Sequence, residues 1–211
     1  MMNKTTAAAK AKNVPIIAAK MVFPKDIIKS LGERIYNQIS LIDTTLVAMM
    51  DSLVFFSIGG NLGDRLALIE ETTDFIDFNI GDVVLRSGIY ETPGWEMPED
   101  TPLFFNCVLG VKTDLSLIQI KREIEEIDEY YGRERSSEQY LSREMDVDLL
   151  LYKGQTAEEP LIVPHNKMHL RSFVLTPLAE IAGELEHPIL KKTIQELSVQ
   201  LKDAPLPVKI A

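Results

Sequence analysis

Apolar residues recur along the chain at two spacings, one typical of strands and one typical of helices. Short apolar runs that predict β-strands lie at 53–58, 83–90, 103–111 and 143–152. Apolar residues three or four positions apart predict three helices: one that ends near Asn79, one at 116–131 and a last short one at 193–201, which precedes a tail. The main order of strand, helix, strand, strand, helix, strand is typical of an α+β fold. We therefore expect a ferredoxin-like antiparallel sheet with packed helices.

The fourth predicted strand carries two acidic side chains on one face. Because side chains on a strand alternate between faces, Asp146 and Asp148 share one face, and Met145, Val147 and Leu149 share the other. Asp is depleted in strands, and neighbouring carboxylates repel each other unless a cation or a proton lies between them. Mg²⁺ often uses one or two carboxylates together with substrate phosphates, so the pair predicts a magnesium and nucleotide site. The alternative is an edge strand whose acidic face is only solvated.

Three arginines precede the acidic pair and favour the first interpretation. Arg133, Arg135 and Arg143 lie in the loop that leads into this strand. A guanidinium group keeps its charge and binds phosphate oxygens through two parallel hydrogen bonds. Anion-binding side chains beside a predicted cation site indicate phosphoryl transfer.

Two further features point to a ligand site near the middle strands. The loop at 91–102 contains three prolines, a glycine and the only tryptophan, Trp95, and long loops of this kind are often lids or binding loops. Asn106 lies among apolar neighbours and needs a partner, which is either backbone or a bound heterocycle. The glycines at 59–63 lack the Walker ending, so we expect them only to let the backbone turn.

Composition limits the classes of function. The net charge is -10 and the isoelectric point is about 4.9, which argues against binding to a nucleic-acid backbone. The single cysteine, Cys107, lies in an apolar run and is expected to be a small buried side chain. No apolar stretch approaches the roughly 20 residues that a membrane helix needs. We expect a soluble cytoplasmic protein with a reduced thiol.

The first 52 residues differ from the rest of the chain. They contain no acid before residue 26, whereas the remainder is strongly acidic. This change predicts a boundary between an N-terminal extension at 1–52 and a main domain at 53–211. The Ala-rich and Lys-rich start is typical of a disordered arm, and the apolar spacing over 26–50 predicts an amphipathic helix.

Four sequence pieces in a fixed order resemble the 6-hydroxymethyl-7,8-dihydropterin pyrophosphokinase family of folate biosynthesis. The resemblance covers about 53–197. The pieces are 58–65, 90–93 with 105–106, 143–149, and 163–165 with Met168, Arg171 and Phe173. The fold of that family, a ferredoxin-like sheet with packed helices, agrees with the predicted order of elements.

The resemblance implies that the enzyme transfers pyrophosphate from ATP to the pterin hydroxymethyl group and releases AMP. It also implies two Mg²⁺ ions, held by Asp146 and Asp148. Arg133, Arg135 and Arg143 match catalytic arginines. The positions that match ATP-binding residues are Arg133, Arg143, Leu149, His165 and Arg171. The positions that match pterin-binding residues are Thr92, Pro93, Gly94, Trp95, Phe104, Asn106 and Phe173, with Phe104 and Phe173 on either side of the ring.

Several positions depart from the family pattern. Leu141 and Ser142 stand where the family usually has Gly-Pro before the arginine. Phe104 stands where tyrosine is frequent, and the Gly94-Trp95 pair replaces one that commonly contains proline. Ser136 and Asn166 stand where some members carry a lysine and an aromatic residue. Nucleotide affinity and loop rigidity are the properties that these changes would alter.

Other interpretations stay open from the residues alone. The Asp pair would also serve another Mg²⁺-dependent kinase or nucleotidyl transferase, and a ferredoxin-like sheet would also serve a non-catalytic sensor or an RNA-binding module. Phe104 and Phe173 would then be ordinary core residues. We expect ATP and the pterin as partners, no nucleic acid and no membrane, and a monomer in preference to an oligomer.

Overall fold

A six-stranded antiparallel sheet forms the centre of the computed structural model, which describes residues 48–50, 52–132, 142–201 and 205–211. These residues fall within the structural unit Asp43–Ala211. The predicted disordered arm, most of the predicted helix at 26–50, and Arg133, Arg135, Ser136 and Leu141 lie outside the described residues. The predicted boundary after residue 52 stays a prediction.

From Val54 to Tyr152 the elements follow the predicted order, except that one predicted strand is divided in two; the helix at Ser172–Ala182 and the strand at Val208–Lys209 were not predicted. They are β1 (Val54–Gly60), α1 (Arg65–Asn79), β2 (Asp82–Arg86), β3 (Tyr90–Thr92), β4 (Phe104–Lys112), α2 (Leu117–Tyr130), β5 (Asp146–Tyr152), a 3₁₀ turn (Met168–Leu170), α3 (Ser172–Ala182), α4 (Ile194–Gln200) and β6 (Val208–Lys209). The strand order is β5-β1-β4-β3-β6, and β2 pairs with the other half of β4. The expected antiparallel sheet with packed helices is confirmed.

The sheet is covered by helices on both faces. β1 is buried along its whole length, which explains why its sequence is a continuous apolar run. Val54 and Phe56 pack in one hydrophobic core with residues of α1 and α2. Phe55 packs in a second core with residues of α3 and α4.

Side-chain caps set the helix starts. Asp64 accepts a hydrogen bond from the Ala67 N–H at 3.2 Å, so α1 begins directly after the glycine-rich turn. Thr193 and Glu196 exchange hydrogen bonds at the start of α4. In α2, Ile120, Ile124 and Ile127 are buried, whereas Ile118 is 47% exposed. Ile118 lies two positions before the buried Ile120, and two positions rotate a side chain to the opposite side of a helix.

The predicted strand at 83–90 is wrong in one respect, because it is two strands. β2 leaves β4 at Ser87, whose hydroxyl accepts a hydrogen bond from the Val108 N–H at 2.9 Å. Ile89 then pairs with the end of the chain, since its N–H donates to Ala211 O at 2.7 Å. β3 therefore begins beside a C-terminal strand, β6, which the apolar pattern does not indicate.

Candidate active site

The two aspartates share the predicted face of β5. Asp146 lies opposite Gly59 and Asp148 lies opposite Ser57 in the register with β1. Their side chains are 29% and 28% exposed, whereas Met145 is buried. The prediction of one core face and one accessible acidic face is therefore confirmed.

Each carboxylate pairs with an arginine. Arg143 Nη1 lies 2.7 Å from Asp146 Oδ2, and Arg171 Nη1 lies 3.1 Å from Asp148 Oδ2. Arg171 is almost completely buried just before α3. The paired positive charges reduce the electrostatic repulsion between the two neighbouring carboxylates.

Asn61 fixes the main chain that carries Arg143. Its Oδ1 accepts from the Arg143 N–H at 2.8 Å, and the Asn61 N–H donates to Arg143 O at 2.9 Å. Its Nδ2 donates to Ser142 Oγ at 2.9 Å and to Pro102 O at 3.2 Å. One buried amide thus joins the end of β1, the segment before β5 and the loop before Phe104. Sequence reasoning did not select Asn61, although it belongs to the first matching motif.

The paired glycines before Asn61 allow close approach. The prediction that they only let the backbone turn is wrong for Gly59 and Gly60, which belong to β1. A Cβ atom on Gly59 would lie 2.6 Å from Asn106 Oδ1, and one on Gly60 would overlap the Glu144 carbonyl group. Gly63, with φ of +66°, does serve the turn. The sequence Gly59-Gly60 therefore lets β4 and the start of the acidic strand approach β1.

A pocket of about 540 Å³ lies beside the acidic face. Its lining combines predicted pterin residues with the ion pairs: Ser57, Gly59, Thr92, Trp95, Met97, Phe104, Asn106, Arg143, Asp146, Asp148, Arg171 and Phe173. Pro93 and Gly94 lie in the adjoining loop and do not line it, and Gly94 packs against Met97. Met97, Ser57 and Gly59 were not predicted, since their type alone carries no chemical signal.

The polar and aromatic groups of this pocket are arranged for a flat polar ligand. Asn106 is buried, and its Nδ2 donates to Thr92 Oγ1 at 2.8 Å, which fixes the orientation of the amide. Phe104 and Phe173 are only partly buried and face the pocket. The Trp95 ring lies 6.2 Å from that of Phe173 at 58°. Aromatic walls around a fixed amide favour a planar heterocycle.

A second pocket of about 910 Å³ meets the first at Asp148, which lines both. It contains Leu149 and His165, both predicted to bind ATP, together with Asn166 and the segment from Glu158 to Ile162. Two adjoining cavities that share an acidic group suit two ligands that react at their junction.

His165 presents an N–H group toward the shared aspartate. Its Nδ1 accepts from the Lys167 N–H at 3.3 Å, and its Nε2 lies 3.8 Å from Asp148 Oδ2. Burial lowers the pKa of His165, and this effect outweighs the opposite influence of Asp148. The imidazole is therefore neutral at pH 7, with its proton on Nε2.

Among the described residues, no group of three or more His, Cys, Asp or Glu side chains could hold a metal ion. Asp146 and Asp148 remain as two adjacent carboxylates on one face. This small donor set fits Mg²⁺, which keeps water and phosphate oxygens as its other ligands, better than a metal that needs three or four protein ligands. In the part of the chain that the structure describes, no helix has the length and apolar character required to cross a membrane.

The sequence is similar to that of a known protein family. Residues 55–183 match the family described as 7,8-dihydro-6-hydroxymethylpterin-pyrophosphokinase (HPPK). The chain is 31% identical over 144 residues to 2-amino-4-hydroxy-6-hydroxymethyldihydropteridine pyrophosphokinase of Aquifex aeolicus, an alignment that covers 68% of this chain and 88% of that protein. The corresponding protein of Bacillus subtilis is 33% identical over 141 residues, which cover 65% of this chain and 82% of that protein.

The fold is similar to that of solved structures. The wild-type HPPK-DHPS of Plasmodium falciparum crystallised with pteroate superposes with a TM-score of 0.56 at 15% identity, covering 70% of this chain and 42% of that one. The chain thus spans less than half the length of that larger protein. At this level of identity the similarity concerns the fold alone.

Proposed function

Because the chain belongs to the 7,8-dihydro-6-hydroxymethylpterin-pyrophosphokinase family, we propose that its two pockets hold the pterin and ATP and that Asp146 and Asp148 bind Mg²⁺ between them. The enzyme transfers pyrophosphate from ATP to 6-hydroxymethyl-7,8-dihydropterin in folate biosynthesis, and gives the pterin diphosphate and AMP. The observation that best supports the site assignment is the shared position of Asp148, which lines both pockets.

The first pocket is the proposed pterin site. Phe104 and Phe173 would stack on the two faces of the ring, and Asn106, oriented by Thr92, would bond to its polar edge. Trp95 beside Phe173 would close the open side. The hydroxymethyl group of the ring would then point to the acidic face, since the same pocket contains Asp146 and Asp148.

The second pocket is the proposed ATP site. Leu149 and the apolar side chains of Leu161 and Ile162 would contact the base. The neutral His165 would donate its Nε2–H to a phosphate oxygen, a role that needs no change of protonation. Arg143 and Arg171 line the first pocket and not the second; beside Asp146 and Asp148, they would bind phosphate oxygens where the two pockets meet. The corresponding roles of Arg133 and Arg135 stay predictions from the sequence.

Transfer requires in-line attack by the pterin hydroxyl oxygen on the β-phosphorus of ATP. The new bond joins that oxygen to the β-phosphorus, and the bond between the β-phosphorus and the oxygen of the α-phosphate breaks. That oxygen leaves with AMP, and the proton of the hydroxyl group is released to solvent. Two Mg²⁺ ions bound by Asp146 and Asp148 would supply neutralisation of phosphate charge at the junction. The side chains themselves contribute position and electrostatic stabilisation, which dominate phosphoryl transfer. We also propose that the enzyme is cytoplasmic, which its single, buried and unpaired cysteine supports.

Product analysis tests the reaction and its metal requirement. Purified protein is incubated with ATP and 6-hydroxymethyl-7,8-dihydropterin, with and without magnesium, and the nucleotides are separated by chromatography. We expect AMP only when pterin and magnesium are both present. ADP would indicate an ordinary kinase, and AMP formed after complete removal of divalent cations would contradict the proposed metal site.

A further inference from the structure

The C-terminal segment, residues 205–211, touches both sides of the proposed pterin pocket. At one end, Pro205 O accepts a hydrogen bond from Ser172 Oγ at 2.8 Å. Ser172 lies at the start of α3, between Arg171 and Phe173, which both line the pocket. At the other end, β6 pairs with β3, where Tyr90 lies opposite Lys209. The segment therefore connects the helix that carries Phe173 to the strand that carries Thr92.

Glu180 completes this connection. It projects from α3 and accepts hydrogen bonds from the Gly88 N–H at 3.1 Å, from the Tyr90 hydroxyl at 2.8 Å and from Lys209 Nζ at 2.6 Å. Burial alone would raise the pKa of Glu180, but these bonds, led by that from Lys209, lower it. Burial and the Glu180 carboxylate raise the pKa of Tyr90 to about 12, so its hydroxyl stays a donor. One charged group thus links the helix, the strand and the C-terminal segment.

The chain passes so close that Gly88 has no room for a side chain. A Cβ atom at this position would lie 2.6 Å from Ala211 O. The Ile210 N–H donates to Ile89 O at 2.9 Å and the Ile89 N–H donates to Ala211 O at 2.7 Å, so the last residues occupy the free edge of the sheet just before β3.

The side chains of the C-terminal segment contribute little to the core. Leu206 is 79% exposed, Val208 is 62% exposed and Ile210 is 42% exposed. Its attachment consists of main-chain hydrogen bonds, the Ser172 bond and the Lys209–Glu180 ion pair, in place of buried apolar area. Loss of such contacts alters the position of α3 and β3 more than it lowers the hydrophobic stabilisation of the fold.

We propose that residues 205–211 position the two sides of the pterin pocket and thereby set the affinity for the pterin. The segment fixes α3, and with it Phe173, relative to β3, where Thr92 orients Asn106. Its hydrogen bonds go to α3 and to the residues around β3, so we expect pterin affinity to depend on it more strongly than ATP affinity. Lys209, Glu180 and Ser172 are positioning residues. This inference rests on the proposed pterin site.

The test compares pterin and nucleotide affinity in the full-length protein and its variants. One variant ends at Leu206, and a second carries Lys209→Ala. Lys209→Arg is the conservative counterpart, and Lys191→Ala is the matched control, because Lys191 pairs with Glu186 on an exposed surface. Calorimetry measures the Kd of the pterin at saturating non-hydrolysable ATP analogue and the Kd of the analogue alone. Thermal unfolding is recorded for every variant.

We expect truncation to raise the pterin Kd roughly tenfold and Lys209→Ala to raise it roughly threefold, as expected for lost positioning contacts. Lys209→Arg and Lys191→Ala should match the wild type, and the Kd of the analogue should change less than about twofold in all variants. A wild-type pterin Kd in a folded truncation variant would overturn the inference, as would an equal loss of both affinities.

The comparison remains decisive if truncation prevents folding. Identical pterin Kd values for Lys209→Ala and wild type would then refute the positioning role. Asn106→Ala separates this inference from the site assignment on which it rests. If Asn106→Ala leaves the pterin Kd unchanged, the proposed pocket is wrong; if only the C-terminal variants leave it unchanged, the pocket stands and the positioning role fails.

Discussion

Replacement of Asn61 by alanine tests whether a residue that contacts no substrate in the proposed site controls the active-site geometry. The side chain makes three hydrogen bonds, with the Arg143 N–H, Ser142 Oγ and Pro102 O, and is only 4% exposed. Each bond contributes about 1 kcal/mol net, and truncation leaves partners unsatisfied. We expect Asn61→Ala to lower the free energy of unfolding by about 3 kcal/mol.

Activity should fall for a separate reason. Without the amide, the main chain before β5 loses its attachment to β1, and Arg143 is no longer held beside Asp146. A displaced phosphate-binding arginine should lower the rate of AMP formation at saturating substrates at least roughly tenfold. Asn61→Asp keeps the acceptor for the Arg143 N–H, but it loses both donated bonds and places a carboxylate oxygen against Pro102 O at a buried position, so its stability should be no higher than that of Asn61→Ala.

Urea unfolding and a chromatographic AMP assay measure the two effects. The matched control is Asn79→Ala, which removes an exposed amide bonded only to Phe75 O and should cost less than about 0.5 kcal/mol. A variant Asn61→Ala with wild-type stability and wild-type AMP formation would refute the reasoning. Loss of stability without loss of activity would show that Asn61 is structural alone.

Four other substitutions, at Asp146, Asp148, Phe173 and Gly60, have defined outcomes. Asp146→Asn and Asp148→Asn should each abolish AMP formation without loss of secondary structure by circular dichroism, because these carboxylates make no core contact. The control, Asp74→Asn at an exposed position, should leave AMP formation unchanged. A fully active Asp148→Asn enzyme would contradict the metal assignment. Phe173→Ala should raise the pterin KM roughly tenfold, with a smaller change in the ATP KM. Phe78→Ala, at an 89% exposed position, is its control. Equal pterin KM values for Phe173→Ala and wild type would exclude stacking on Phe173. Gly60→Ala should lower the free energy of unfolding by about 1–3 kcal/mol, since the new Cβ atom would overlap the Glu144 carbonyl group. Thermal unfolding identical to that of the wild type would contradict the close approach of Glu144 to Gly60.

The shared face of the two acidic side chains was predictable because it depends only on residues adjacent in the sequence. Alternation of side chains with period two places Asp146 and Asp148 on one face without any knowledge of the rest of the fold. The capped helix starts are equally local, since Asp64 and Thr193 act on N–H groups within their own first turn. These features needed only a few neighbouring residues.

The missed features depend on partners far along the chain. Asn61 bonds to residues 41 and 82 positions away, which only the pairing of β1 with its neighbours brings together. Gly60 needs its missing side chain because of Glu144, on a different segment. β6 has two residues with exposed side chains, so no apolar alternation could reveal it. Its position follows from hydrogen bonds of the main chain, which sequence patterns do not encode.

At Ser142 the sequence pattern and the long-range contacts of the structure concern the same residue. It departs from the Gly-Pro pattern of the family, and its hydroxyl accepts one of the hydrogen bonds from Asn61. A proline at this position would offer no hydroxyl and would restrict the chain through its own ring. In this protein a side-chain hydrogen bond from Asn61 therefore holds Ser142, directly before Arg143.

The ion pairs of the acidic face explain how the proposed site can exist with and without its ligands. In the structure, Arg143 and Arg171 neutralise Asp146 and Asp148, so neither the carboxylates nor the guanidinium groups lie in the partly buried pocket without opposite charge. On the proposed assignment, MgATP brings both signs of charge at once, with cations for the carboxylates and phosphate oxygens for the arginines. Each side chain then exchanges one partner of opposite charge for another. The four charged groups are desolvated during folding, before substrate binds. The same preorganised charges are then available to stabilise pyrophosphate transfer.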